Sequence, residues 1–416
     1  MKVAHICSSY GLNGTGGAAV AATRLHLALL DEGVESHYIC ERQYESGDNV
    51  HVLPPNGSVA GVVLGVCAKA LRGVWRFSRY GKPVHLHLVP SVGLFKLLSA
   101  INPDIVHVHW INFDFMSFAQ LAKLRWRTVM TMHDLYMVNA REPHPESDVR
   151  YVEGFDRRYS RWLERWLFER KRSAISRLRP TFVAPSEWAC KCVKKAMVSK
   201  GCNVFCVPNL IGEEFYGPVA HHGRNPRFRL LFGAADARKN PYKGFADLET
   251  ALGMIPVEIK RRMELLVFGE HAVGESETAG VKTISLGRIR NRAELLKVYD
   301  ESDVFVFPSR YETQGMVKVE AMMRGLPVVS FDRSACAEGI EPGVSGIVVK
   351  DGDIAGFADG IVQMFRMFAD GGLERRREAV ALDARAKFGR KATIAKMMEI
   401  YGGNCKTHFA ICPFSR

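Results

Sequence analysis

The chain has 416 residues, 47% of them hydrophobic and 24% charged, which excludes a disordered or fibrous protein and predicts a globular one with two or three domains. Its formal net charge is +13, and residues 1–200 carry most of the excess, with 27 Lys and Arg against 17 Asp and Glu. A basic excess of this kind attracts nucleic acid, an anionic membrane surface or a phosphorylated substrate, and by itself it does not choose among them.

The first half of the chain alternates strand-like and helix-like segments. The opening MKVAHICSS has the pattern of a strand and not of a secretory signal, so we expect no export. Later strands are SHYIC, DIVHVHW, TVMTMH, TFVAPS and VFCVPN, and helical periodicity lies between them. The run SVAGVVLGVCAKAL contains Lys69 and is shorter than the roughly twenty residues of a membrane span. Short apolar strands alternating with helices predict a doubly wound parallel sheet.

The alternation restarts after a polar stretch near residues 208–227 and predicts a second doubly wound domain. We place an N-terminal domain at 1–207, a C-terminal domain at 208–385, and a final helix and tail at 386–416 that packs back towards the first domain. Two such sheets facing each other would form a cleft, with ligands at the carboxyl ends of the strands. The ten cysteines are scattered singly, which favours a reducing compartment and a cytoplasmic location.

The stretch SRYETQGMVKVEAMMRGLPVV follows the strand VFVFPS and contains two glutamates. Gly315 stands where the next helix begins, and its backbone together with that of Met316 offers N–H groups to a phosphate. Glu320, inside the helix, has the chemistry to accept two hydrogen bonds from the vicinal hydroxyls of a ribose, and Glu312 those of an attached sugar. Spacing alone is equally compatible with two glutamates that only decorate an amphipathic helix.

Glu312 and Glu320, followed by AMMRGLPVV, resemble the E-x7-E signature of the retaining GT-B glycosyltransferases called glycosyl transferases group 1, or family 4. The segments LGRIRNRAELLKVYDESDVFVFPS and PVVSFDRSACAEGIEPGVSGIVVKDGD on either side of it also resemble that family. The resemblance implies a GT-B fold and transfer from a nucleotide-diphosphate sugar. It also implies that Glu320 holds the ribose and that Glu312 contacts the transferred sugar.

The loop ADARKNPYKGF follows the strand RLLFGA and is rich in cations. Lys243 with Gly244 resembles the family's Lys-Gly pair, whose lysine binds the donor diphosphate, and a cation there would stabilise the leaving group. The family's arginine after the strand glycine is replaced here by Ala234. Arg238 is the nearest candidate to take its place. The alternative is that Arg238 is a surface residue with no role in donor binding.

The first domain offers three further candidates by resemblance. Gly16 and Gly17, in GTGGAAVAATRL, correspond to the family's N-terminal glycine pair near donor phosphate and acceptor, although any doubly wound domain needs such turns. His133, at the end of TVMTMH, corresponds to the histidine that contacts the transferred sugar. His107 and His109 alternate along a buried strand, and we interpret them as packing residues.

No metal or other cofactor is expected. Asp351 and Asp353 form an Asp-x-Asp, but between a strand and a helix an aspartate is an ordinary N-cap. Cysteines 190, 192, 202 and 206 do not have a common zinc-ligand spacing. The Arg-rich helix near 157–179 predicts a charged solvent face over a core-facing aromatic stripe, with Lys171 in the charged set. The alternative is that this helix and the segment GVVLGVCAKALRGVWRF rest together on anionic lipid headgroups.

These features predict a metal-independent retaining hexosyltransferase that moves a sugar from a nucleotide-diphosphate sugar to a glycan or lipid-linked acceptor in surface polysaccharide biosynthesis. A GT-B phosphorylase would use the same cations and remains an alternative. A basic nucleic-acid-binding protein is the alternative from another class, but it leaves Glu312 and Glu320 unexplained and lacks a recognised binding module.

Overall fold

A computed structural model describes residues 1–13, 16–54, 57–59, 62–67, 69–70, 85–111, 115–139, 150–154, 162–220 and 226–403. The chain forms two compact units that divide between Val207 and Pro208. The second unit runs to Thr393, and the first takes in the described chain from Ile394 onward. The helix Gly372–Phe388 therefore belongs to the second unit as a whole, although the sequence analysis ends that domain at 385.

The first unit is a sheet of seven parallel strands in the order β5-β3-β1-β6-β7-β8-β9. The strands are β1 Lys2–Ile6, β3 Glu35–Cys40, β5 Val50–Val52, β6 Ile105–Val108, β7 Arg127–Thr131, β8 Thr181–Ala184 and β9 Val204–Cys206, and a separate short pair is formed by β2 Ser9–Tyr10 and β4 Arg42–Gln43. The helices are Gly17–Asp31, Leu94–Ile101, Phe118–Leu121, Arg150–Glu153, Trp162–Leu178 and Glu187–Lys195.

The second unit is also a seven-stranded sheet, in the order β12-β13-β11-β10-β14-β15-β16. Its strands are β10 Phe228–Gly233, β11 Met263–Phe268, β12 Val273–Thr278, β13 Val281–Gly287, β14 Val304–Phe307, β15 Val328–Asp332 and β16 Gly346–Lys350. Its helices are Phe245–Met254, Val257–Lys260, Arg292–Asp300, Met316–Met323, Ile354–Ala369 and Gly372–Phe388, and the helix Arg390–Gly402 crosses into the first unit.

Both units confirm the predicted doubly wound α/β fold. Central strands such as β6 and β14 are buried along their whole length, which is why their sequences are continuously apolar instead of alternating. The edge strand β12 is antiparallel to β13, and all but its last residue are exposed. It was not predicted, because its polar, glycine-containing sequence lacks the apolar pattern of a strand. Within the described residues, no helix combines the length and hydrophobicity that crossing a membrane requires.

Candidate active site

The turn after β14 places Gly315 at the start of a helix, as the sequence predicts. Gly315 adopts φ 76° and caps the helix Met316–Met323. A Cβ atom at this position would lie 2.6 Å from the ring of Phe307, so both the backbone conformation and the space require glycine. The first backbone bonds of the helix are made by the amides of Lys318 and Val319 to the Gly315 carbonyl, so the amides of Met316 and Val317 precede the helical ladder.

Lys243 and Glu312, both predicted for the donor site, form an ion pair. The Lys243 Nζ atom donates to Glu312 Oε1 at 2.7 Å, and the side chains are 23% and 13% exposed. Gly244 makes this possible, because it adopts φ 71° and a Cβ there would overlap the carbonyl oxygen of Pro308. The Lys-Gly loop therefore packs directly against the end of β14, beside the loop that carries Glu312.

Glu320 lies within the helix Met316–Met323 and is almost completely buried, with 6% of the residue exposed. The hydroxyl of Tyr299, from the helix Arg292–Asp300, donates to Glu320 Oε2 at 3.3 Å. This contact fixes the orientation of the carboxylate, a role for Tyr299 that the sequence analysis did not identify. The local pattern contained no signal for it, because the two residues are 21 positions apart.

The loop 333–338 holds the backbone of Glu312 in place. The Glu312 amide donates to Ser334 Oγ at 3.0 Å, and the Ala335 amide donates to the Glu312 carbonyl at 3.2 Å. Lys318 closes this loop from the helix Met316–Met323. Its Nζ atom donates to the carbonyl oxygens of Ala335, Cys336 and Glu338 at 3.0, 2.9 and 2.6 Å.

Lys318 is fully buried, and burial lowers its pKa to about 8. A buried lysine is tolerated only when its donors are satisfied, and here three carbonyls satisfy them. The sequence analysis missed this residue. The signal was present in GMVKVEAMM, where a lysine interrupts the apolar face of a short helix.

Arg238 belongs to a different network from Lys243 and Glu312. Its guanidinium pairs with Glu270 at 3.3 Å, and its backbone amide donates to the same carboxylate. The guanidinium carbon lies 5.0 Å from the centroid of the Phe245 ring. It lines a cavity of about 390 Å³ with Asp236, Lys239 and Ser285, and this lining does not include Lys243, Glu312 or Glu320. The role of Arg238 in replacing the arginine missing at Ala234 stays a prediction.

In the first unit, Gly16 is the N-cap of the helix that begins at Gly17, as predicted, and a Cβ at Gly16 would meet nothing within 4 Å. Asp134 is turned inward, where its carboxylate accepts from the Trp110 indole and from the Tyr136 amide, both at 3.0 Å. Burial raises the pKa of Asp134. We therefore assign Asp134 to the support of this loop.

His133 follows β7 and is half-buried, and its Nε2 atom is 3.0 Å from His109 Nδ1. Burial lowers the pKa of His133 to about 4, so the ring is neutral at pH 7. His107 and His109 are buried, as predicted, but they do more than pack. His107 bonds to Tyr401 and Thr131, and His109 bonds to His5 as well as to His133.

The secondary motifs have structural roles. Asp353 is the N-cap of the helix Ile354–Ala369, where its Oδ1 atom accepts from the Gly356 amide, as predicted. Asp351 pairs with Arg333 at 3.1 Å. In the part of the chain that the structure describes, the one group of three or more potential metal ligands close together is His5, His107 and His109, so the four cysteines do not gather into such a group.

The prediction for the Arg-rich helix was wrong at Lys171. Its side chain is fully buried, and Nζ donates to the carbonyls of Tyr136 and Asn139 at 2.6 and 3.0 Å. Trp162, an aromatic residue of this helix, is 67% exposed and so does not lie on the predicted core-facing stripe. The structure describes this helix from Trp162 to Leu178, so Arg157 and Arg161 lie outside the described residues. Residues 61, 68 and 71–77 of the stretch GVVLGVCAKALRGVWRF also lie outside them.

Two family models match the chain. Residues 15–215 match the family described as Glycosyltransferase Family 4, and residues 229–367 match the family described as Glycosyl transferases group 1. Together they cover most of both compact units. The second match contains Lys243, Glu312, Gly315 and Glu320.

Similar proteins include two from bacterial polysaccharide systems and one solved structure. An uncharacterized 41.2 kDa protein in the cps region of Klebsiella pneumoniae is 23% identical over 78% of this chain and 86% of its own length. The O-antigen chain mannosyltransferase B of Escherichia coli is 26% identical over 57% of this chain and 61% of its own. Sucrose-phosphate synthase from Thermosynechococcus elongatus superposes with a TM-score of 0.67 at 17% identity, covering 97% of this chain and 99% of that one, which shows a common fold.

Proposed function

Since this chain belongs to the group 1 family of GT-B glycosyltransferases, we propose that it transfers a sugar from a nucleotide-diphosphate sugar, with retention of anomeric configuration, to a hydroxyl of a glycan or lipid-linked acceptor. The Lys243–Glu312 pair beside the Gly315 turn is the observation that carries the proposal. It brings together the cation and the carboxylate that the family uses on the donor.

The second unit supplies the groups that a donor needs. Lys243 and the amides at Gly315 and Met316 bind the diphosphate, because a helix N-terminus and an ammonium both favour negative charge. Glu320 accepts hydrogen bonds from the ribose, held in orientation by Tyr299. Glu312 binds the transferred sugar once the diphosphate competes with it for Lys243.

These groups also supply the chemistry of departure. When the bond between the anomeric carbon and the diphosphate oxygen breaks, negative charge grows on the leaving group, and Lys243 stabilises it. The acceptor oxygen bonds to the anomeric carbon on the same face, and its proton passes to the departing phosphate. The proposal assigns His133 of the first unit to the sugar, by resemblance. It requires no metal, so turnover should be unchanged by EDTA.

The two relatives favour a surface polysaccharide as the product, because one is encoded in a cps region and the other is named for O-antigen chains. A lipid-linked acceptor would bring the enzyme to a membrane surface. Val59, Val62, Val63 and Val66 are each more than half exposed at helical spacing. They lie within residues 49–103, which contain no Asp or Glu. We assign the face formed by these four valines, in its acid-free surroundings, to anionic lipid.

Turnover across UDP-, GDP- and ADP-sugars with lipid-linked and free glycan acceptors tests the function. One donor class should support transfer, and Glu320→Gln should abolish it, whereas Glu258→Gln, on the exposed surface, should not change it. Phosphate-dependent breakdown of an oligosaccharide without transfer would instead identify a phosphorylase. Trapping of a glycosyl-enzyme adduct would refute the same-face mechanism.

The membrane assignment has its own experiment. The protein should sediment with anionic vesicles at low salt and be released at high salt, and Val62→Asn with Val66→Asn should weaken binding. Binding that is absent at low salt, or that does not respond to salt, would remove the assignment and leave the transfer activity standing.

A further inference from the structure

Three histidines in the first unit form one hydrogen-bonded row. His133 Nε2 lies 3.0 Å from His109 Nδ1, and His109 Nε2 lies 2.9 Å from His5 Nδ1. Their rings stack in sequence, with centroids 5.3 and 5.2 Å apart and interplanar angles of 24° and 27°. The row exists because β1, β6 and β7 are neighbouring parallel strands, so side chains at their carboxyl ends meet at one edge of the sheet.

We infer that His5 and His109 are positioning residues that hold His133 in one neutral tautomer and one orientation for the transfer reaction. The inference rests on the proposed function, which assigns His133 to the transferred sugar. A neutral histidine that contacts a sugar through one ring nitrogen presents either a donor or an acceptor there. The group hydrogen-bonded to the other ring nitrogen decides whether it is the donor or the acceptor.

Proton counting gives the row a direction. Each neutral imidazole has one ring proton, and His109 has both nitrogens in hydrogen bonds, so it donates through one and accepts through the other. All protons in the row therefore point the same way, towards His133 or towards His5. His5 Nε2 is buried and without a hydrogen-bond partner among the described residues.

That unpartnered atom selects the direction. If the protons point towards His5, the buried Nε2–H of His5 is left without an acceptor. A buried N–H without an acceptor is rarer and less favourable than a buried nitrogen acceptor without a donor. If they point towards His133, His5 Nε2 carries no proton, His109 donates from Nδ1, and His133 accepts at Nε2. The proton of His133 then sits on Nδ1, which makes this nitrogen the donor.

Hydrogen bonding also argues against a metal in the same place. His5, His107 and His109 lie close enough to share an ion, but His107 uses both nitrogens in bonds of 2.6 and 2.7 Å to Tyr401 and Thr131. Five of the six ring nitrogens are therefore already engaged, whereas a three-histidine site needs three free lone pairs.

The surroundings keep the row uncharged. Burial lowers the pKa of His5 and of His109 well below the usual value, and neighbouring histidines lower them further. The titratable groups that face His5 in the row are His107 on β6, His26 on the helix Gly17–Asp31 and Tyr38 on β3. Tyr401, on the last helix, contacts His107. Asp134 follows His133 in the chain, and its carboxylate interacts with Trp110, the Tyr136 amide and Lys171.

Matched substitutions of His109 separate positioning from packing. An asparagine amide reaches the place of the imidazole Nδ1, so His109→Asn keeps the bond to His133, whereas the longer His109→Gln keeps the bond to His5. We expect His109→Asn to retain kcat within about threefold and His109→Gln to lose about 10- to 100-fold, the range seen when the hydrogen-bond partner of a metal-bound histidine is removed. Equal losses in the two variants, with unchanged melting temperatures, would overturn the inference.

A pH profile adds a readout that packing alone does not change. His109→Asp places a carboxylate against His133 and favours the imidazolium, so the acid limb of kcat/KM should move up by about one to three pH units, as expected for a histidine that gains an anionic partner. His109→Asn should keep the wild-type limb. Identical limbs in Asp and Asn variants that both fold would also overturn the inference.

An activity-independent measurement keeps this inference distinct from the proposed function. Long-range ¹H–¹⁵N spectra of the full chain labelled in histidine, assigned with His133→Asn and His109→Asn, should show His133 neutral with its proton on Nδ1 at pH 7. An imidazolium at His133, or a His133 proton on Nε2, overturns the inference even if the enzyme transfers sugar. Stoichiometric metal in the purified protein, lost on His5→Asn, overturns it too. Absence of transfer with the expected spectrum refutes the proposed function alone.

Discussion

Replacing Glu312 with glutamine should tighten the binding of the nucleoside diphosphate product while it slows turnover. In the structure the Glu312 carboxylate lies 2.7 Å from Lys243 Nζ, the ammonium to which we assign the diphosphate. The substitution removes this competitor and also a negative charge near the phosphates. Loss of the contact to the transferred sugar should lower kcat by about 100-fold or more, as for other groups that act on the transition state.

The size of the tightening follows from the geometry. A phosphate oxygen bound to the far side of Nζ would lie roughly 6 Å from the carboxylate, where two unit charges repel by about 3 kcal/mol at an effective dielectric constant of about 20. Solvent reaches both side chains of the pair, which are 23% and 13% exposed, and reduces this value. About 1–2 kcal/mol should remain, a five- to thirtyfold decrease in Kd.

Isothermal titration calorimetry with UDP, GDP and ADP measures this effect on whichever nucleotide binds. Lys243→Met should weaken binding, and adding Glu312→Gln to it should still tighten binding, since the repulsion between the carboxylate and the phosphate does not pass through Lys243. Weaker or unchanged binding in Glu312→Gln would refute the proposed arrangement of the donor site.

Three further predictions concern stability. Gly315→Ala should lower the free energy of unfolding by about 1–3 kcal/mol, because it combines positive φ with overlap on Phe307, whereas Gly343→Ala, at φ 79° with open space, should show only the smaller backbone effect in urea denaturation. Lys318→Met should remove about 2–4 kcal/mol, since three buried carbonyls lose a charged donor, and an unchanged melting curve would contradict its role in clamping the loop 333–338. Burial lowers the pKa of His26 and of His133 to about 4, below an unfolded value near 6.5, so their stabilisation is present above about pH 6.5 and is lost as the pH falls towards 4. Each should contribute about 3 kcal/mol across that window, with the exposed His271→Gln as an unaffected control, and constant stability between pH 7 and 4.5 would show that the prediction is wrong.

Local patterns predicted most of the elements and the local geometry of the loop that we propose as the donor site. The apolar runs of β6 and β14 indicated buried strands, and the glycine after TQ indicated the helix start at Met316, because burial and backbone conformation are read from a few adjacent residues. The strand β12 was not predicted. Its pairing comes from the neighbouring strand, and its own residues carry no apolar pattern.

The sequence by itself determined the two doubly wound units, the glycine at the helix start and the chemical types of the residues in the proposed donor site. Only the tertiary structure decided which of these residues meet. Lys243 reaches Glu312 because β10 and β14 are adjacent in the sheet, and His5, His109 and His133 align because β1, β6 and β7 are adjacent. Strand order is set by the packing of the whole unit, so no local pattern encodes these contacts between residues distant in the chain.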